Sequence, residues 1–182
     1  MASGSSGAET SGSDLAASLE EDDPLIGQVI DGRYRIEAVL GTGGVGVVYR
    51  AEHTALQRPV AIKVLHGHFG ENDDLKRRFQ REGQALSALQ HPNVVAISDY
   101  GIADGTPYLT MELLEGRTLA DLLDDEGAIE PERALEIARS ILRGLAFAHG
   151  SGILHRDLKP ANVFLQSLPD DPVEVKRNVY AG

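Results

Sequence analysis

A chain of 182 residues, 42% of them hydrophobic, is long enough to bury the core of one ordinary domain. The net charge is −11, and six acids with no base among residues 1–24 carry more than half of it; no window is dense enough in Lys and Arg for an electrostatic nucleic-acid binder, so nucleic acid is excluded as a partner. No cysteine is present, which removes disulfides and thiolate chemistry, and with no apolar run near a membrane span and no signal-peptide pattern the expected compartment is the cytoplasm.

Residues 1–27 are mostly Gly, Ser, Ala and acids and predict a disordered tail, because they bury too little surface to offset the entropy of ordering. Strand-like runs follow at Tyr34 to Leu40, Val45 to Ala51 and Pro59 to Leu65. Asn72, Asp73 and Asp74 offer a cap for a helix running to about Leu89, stopped by His91-Pro92-Asn93. Two further strands are expected near Val94 to Ser98 and Pro107 to Met111. After Glu115-Gly116 the period becomes helical, with a short helix around Leu119, Leu122 and Leu123 and a long one from Pro131. Leu135, Ala138, Leu142, Leu145, Ala146 and His149 make a long amphipathic stripe along it. The order is α+β: five antiparallel strands with one helix, then helices.

Gly41-Thr42-Gly43-Gly44-Val45-Gly46-Val47-Val48 fits G-x-G-x-x-G-x-V. In a dinucleotide-binding fold such glycines open a helix, whereas here they lead into the β-formers Val47, Val48 and Tyr49, so they join two antiparallel strands. Glycines there let backbone N–H groups approach phosphate oxygens; a bare hairpin turn is the alternative.

Two charges fall in apolar patterns. Alternation in Val60 to Leu65 puts Lys63 on a face with Ala61 and Leu65. On the next helix Leu75, Phe79, Glu82, Leu86 and Leu89 place Glu82 within the stripe. Isolated buried charges are costly, so the economical solution pairs Lys63 with Glu82 and aims the lysine at a phosphate. Snorkelling of Lys63, with Glu82 at a helix edge, is the alternative.

His155-Arg156-Asp157-Leu158-Lys159-Pro160-Ala161-Asn162 fits H-R-D-L-x-x-x-N at every fixed position. Asp157 can accept a hydroxyl proton, Asn162 can offer an amide oxygen to a hard cation and orient Asp157, and Lys159 can face a transferring phosphoryl group. A polar loop around a core histidine is the plain structural reading.

In this order, the residues from about Tyr34 to Lys176 resemble the Hanks-type serine/threonine protein kinases of bacteria. The resemblance implies a small lobe over 28–111, a hinge over 112–116 and part of a helical large lobe over 117–176. It implies ATP as cofactor and a protein substrate, with Gly41 to Val48 over the phosphates, Lys63 paired to Glu82, and Asp157 as base. It further implies adenine bound by backbone groups of Glu112 and Leu114, Met111 as gatekeeper, and a roof of Leu40, Val48 and Ala61. The Lys159-Pro160 pair looks like the serine/threonine subclass.

The resemblance breaks after two short strands expected at Val163 to Leu165 and Val173 to Lys176. Residues 177–182 diverge where the family carries D-F-G, so the magnesium site is expected to be incomplete, with Asn162 its remaining ligand. The helices that the long helix from Pro131 should pack against are missing as well, so the apolar face of its stripe is expected to be left exposed. A truncated or frame-shifted reading of a longer kinase is the expectation. Two functions follow: ATP-dependent phosphorylation of protein Ser/Thr, or an impaired, pseudokinase-like fragment that binds ATP or a partner without turnover.

Overall fold

The computed structural model describes residues 23–44, 46–66, 73–155, 157–167 and 174–177. Burial alternates along β2 (Tyr34–Thr42): Tyr34, Ile36 and Val39 turn inward while Arg35 and Glu37 face solvent. That period-2 pattern fixes the register against β1 (Val29–Ile30) and β3 (Gly46–His53). With β4 (Arg58–Leu65), β5 (Ile97–Ala103) and β6 (Thr106–Met111) they form an antiparallel sheet ordered β1-β2-β3-β4-β6-β5. Six strands therefore stand where five are expected, the addition being the two-residue β1.

The fifth strand is also displaced from its expected place at Val94 to Ser98. Val94 and Val95 are buried in the turn before it, which gives them a strand-like composition without ladder pairing. Pairing of β5 with β6 is set instead by Asp104-Gly105, both at positive φ, which close a two-residue hairpin.

The sheet is covered on both faces. Ile36, Val60, Ile62, Val64 and Tyr108 fill one side, and Leu25 and Ile26, expected in the tail, pack against them. On the other side lies α1 (Asp73–Ser87), whose Phe79 and Leu86 meet Leu65, Leu89 and Leu109. Gly83 lies in the same buried face, and the side chain of Glu82 falls outside the described residues. At the hairpin end of the sheet the Arg33 guanidinium bonds Asp99 at 2.6 Å and Tyr108 Oη at 2.7 Å, and it also pairs with Asp31. Tyr34 donates to the same Asp99 oxygen at 2.7 Å.

The chain then forms β7 (Gly116–Thr118), α2 (Leu119–Glu126), α3 (Pro131–Gly150), β8 (Val163–Gln166) and β9 (Glu174–Arg177), with a small sheet ordered β7-β8-β9. Thr118 starts α2 through a capping box with Asp121, each side chain bonding the other's backbone amide. Among the described residues no helix is long and apolar enough to cross a membrane.

Leucines of the apolar stripe on α3 stay in solvent, as expected, and the helix buries a second face beside it. Ile137, Gly144 and Ala148 face inward, while Leu135 is 51% and Leu142 62% exposed. The physical reason is Gly144: a Cβ there would lie 2.7 Å from the carbonyl oxygen of Asn93, so the helix docks on that loop through bare backbone. A glycine contributes nothing to an apolar pattern, so this second buried face is not readable from the stripe.

Candidate active site

Between the two sheets lies a cavity of about 810 Å³. Its roof comes from the β2–β3 hairpin, where Leu40, Gly41, Thr42, Gly43, Gly44 and Gly46 line it; Val45 lies outside the described residues. The hairpin turn is closed by the Gly43 amide bonding the Gly46 carbonyl at 3.0 Å, and His66 Nε2 lies 3.2 Å from the Gly43 carbonyl oxygen. Gly46 has a purely steric cause: its Cβ would lie 2.2 Å from the Val64 carbonyl oxygen. Gly41 and Gly44 have nothing within 4 Å of that position, Gly43 has one atom at 3.9 Å, and none of the three has positive φ.

Ladder register builds the back wall. Val48 stands opposite Lys63 and Ala61 opposite Met111, so all four reach the cavity. Lys63 is 9% exposed, and burial pushes its ammonium below the ordinary lysine value.

β6 leaves the sheet after Met111 into a segment that supplies Glu112 and Leu114 to the wall. Glu112 is fastened at two points: its amide donates to the Ala96 carbonyl at 3.0 Å, and its Oε1 accepts from the Ala96 amide at 2.8 Å. The Glu112 N–H is thus directed at Ala96, while Glu112, Leu113 and Leu114 line the cavity.

Asp157, Lys159 and Asn162 form the opposite side, held by the short 3-10 turn Pro160–Asn162. Asp157 Oδ2 lies 2.9 Å from Lys159 Nζ and accepts from Asn162 Nδ2 at 3.0 Å; Asn162 Nδ2 also reaches the Asp157 carbonyl at 2.9 Å. The Lys159 ammonium, with Asn162 and the charge of His155 behind it, holds the Asp157 carboxyl below the ordinary carboxylate value. Both bonds fall on Oδ2, so among the described residues Oδ1 is left to accept a proton.

The expected site residues therefore converge on one cavity, except Val45 and Glu82, whose positions there lie outside the description. Val95, Leu113, Thr118, Ala161 and Phe164 also line it without having been singled out in the sequence. Phe164 alternates with the buried Val163 and Leu165 on β8, and that alternation is the signal that one residue of the strand faces elsewhere. Among the described residues no group of three acidic or histidine side chains is placed to hold a metal ion.

The protein kinase domain model matches residues 34–176. The chain belongs to the protein kinase family. It is 43% identical over 144 residues to the serine/threonine-protein kinase PrkC of Bacillus subtilis, covering 79% of this chain and 22% of PrkC. The crystal structure of the Mycobacterium tuberculosis PknI kinase domain superposes with a TM-score of 0.73 at 32% identity, covering 86% of this chain and 63% of that one. Rad53, crystallised in complex with AMP-PNP, superposes at 0.70 with 31% identity, covering 80% of this chain and 38% of that one. This kinase-family chain thus spans about a fifth of PrkC and under two thirds of the PknI domain.

Proposed function

We propose that the chain binds ATP in the cavity between its sheets and serves phosphoryl transfer to a serine or threonine hydroxyl of a protein. The observation that carries this is the convergence of Lys63, the glycine hairpin and Asp157 on a single cavity of nucleotide size. A second supports it: the fold itself demands glycine at Gly46, but neither backbone conformation nor neighbours demand it at Gly41, Gly43 and Gly44. What suits glycine there is close approach of a ligand to backbone N–H groups. The division follows, with residues 28–111 as nucleotide lobe, 112–116 as hinge and 117–176 as the part carrying the catalytic loop.

In this reading the base lies between Val48 and Ala61 above and Phe164 below, its edge toward Glu112 and Leu114, with Met111 closing the rear. Lys63, oriented by Glu82, holds the α- and β-phosphates. Asp157 Oδ1 takes the hydroxyl proton as the substrate oxygen bonds to the γ-phosphorus and the bond to the β-phosphate oxygen breaks, leaving ADP. Lys159 faces the oxygens of the transferring group. A magnesium ion, where bound, neutralises charge on those oxygens, and Asn162 Oδ1 is suited to be one ligand. The described residues do not by themselves make a complete site for it.

The test is transfer of radiolabelled γ-phosphate from magnesium-ATP to a generic protein substrate. Asp157→Asn is expected to lower the rate by about 10²–10⁴-fold while leaving nucleotide binding intact. Nucleotide-induced thermal stabilisation without transfer would assign the chain to the alternative, a nucleotide-binding module without turnover.

A further inference from the structure

The inward face of α1 carries one residue with no side chain, and the packing explains why. A Cβ on Gly83 would lie 2.8 Å from Cγ, 3.0 Å from Cδ2 and 3.2 Å from Cβ of Tyr100 on β5. These atoms are the root of an aromatic side chain, and its Cβ cannot be displaced without moving the strand. That strand is held firmly. Tyr100 pairs with Leu109 of β6, and its amide donates to Asp99 Oδ1 at 2.8 Å. Asp99 in turn is gripped by Arg33 and by Tyr34. Gly83 does not have positive φ, so its backbone conformation is open to any residue. Mid-helix glycine costs about 1 kcal/mol relative to alanine, a cost that only the close contact accounts for.

We propose that Gly83 is a positioning residue for the nucleotide site. Resting on the Tyr100 ring, it sets how deeply α1 lies on the sheet, and so sets the reach of Glu82, its neighbour on the helix, toward Lys63. The inference rests on the reading of Lys63 and Glu82 as the pair that holds the phosphates. A side chain at position 83 must lift the helix by about half an ångström or more to restore ordinary contact distance. Charge-assisted hydrogen bonds weaken as they lengthen and lose alignment. The depth of α1, and with it the site's competence for phosphate, is therefore written into a contact on the far side of the helix from solvent.

The experiment titrates the chain with a fluorescent N-methylanthraniloyl-ATP and records thermal melts of the same samples. Gly83→Val is expected to weaken nucleotide binding by about tenfold or more, the scale of overpacking a tight contact. Gly83→Ala is expected to do so in smaller measure and keeps the test open if the valine variant does not fold. Adding Tyr100→Ala, which removes Cγ and Cδ2, is expected to restore most of the affinity. In a Glu82→Gln background, substitution at Gly83 is expected to cost no further affinity, although it still lowers the melting temperature; a purely structural role would lower both. Undiminished affinity in Gly83→Val, loss that Tyr100→Ala does not relieve, or loss that persists in Glu82→Gln overturns the inference. Wild-type affinity in Glu82→Gln alone overturns the Lys63–Glu82 reading as well, which separates the two failures.

Discussion

The amide of Ala96 donates to Oε1 of Glu112 at 2.8 Å while the amide of Glu112 donates to the carbonyl of Ala96 at 3.0 Å, a closed two-bond ring at the point where β6 leaves the sheet. The side chain thereby adds a second bond to the backbone one that fastens the first residue of the proposed hinge.

Glu112→Ala should accordingly weaken nucleotide binding by about fivefold, the equivalent of one hydrogen bond of about 1 kcal/mol. Glu112→Gln keeps an acceptor oxygen and should bind within about twofold of wild type on that scale. Equilibrium titration with a fluorescent ADP derivative measures both.

Lys159 is the largest cause of the lowered Asp157 pKa, whose ordinary value is 3.8. A base with a depressed pKa stays ionised further into acid, so activity that depends on it persists there. Removing the cation raises the pKa, and the acid limb of the kcat/KM profile should move to higher pH in Lys159→Met. A fall in rate with no movement of that limb would show that Lys159 does not act through Asp157.

Lys63→Met should abolish stabilisation by nucleotide, which for wild type at 100 times Kd amounts to about 2.7 kcal/mol. Glu82→Gln should weaken binding in the same direction, and the double variant should be no worse than Lys63→Met alone, because groups acting as one pair are not additive. Additive losses in the titration would separate the two residues.

The glycines of the β2–β3 hairpin should divide into two classes. Gly46→Ala forces a Cβ against the Val64 carbonyl and should lower the melting temperature, by about 1–3 kcal/mol of stability. Gly44→Ala meets open space and should melt like wild type while binding nucleotide less tightly. Differential scanning fluorimetry with and without ATP distinguishes the classes.

Much of the site was legible because its residues break local patterns: a lysine in an apolar strand, glycines leading into β-formers, and a polar loop with eight ordered positions. The less legible features owe their form to contacts distant in sequence. Gly144 and Gly83 carry no apolar signal, yet each marks a close approach of two elements. The fifth strand was misplaced because Val94 and Val95 are buried without pairing, while Asp104-Gly105, a readable hairpin signal, lay beyond the expected strand. Phe164 needed the third dimension to be seen as the floor of a cavity.

Ala148, four residues beyond Gly144, sits in the same apolar cluster as Leu65, Phe79 and Leu109 of the upper sheet and its helix. The end of α3 is therefore rooted in the core of the six-stranded sheet, and the chain runs from that anchorage to Asp157 in nine residues. The upper and lower walls of the cavity thus share one apolar core at the root of α3, so a cavity-forming change in that core would be felt on both sides of the cleft at once.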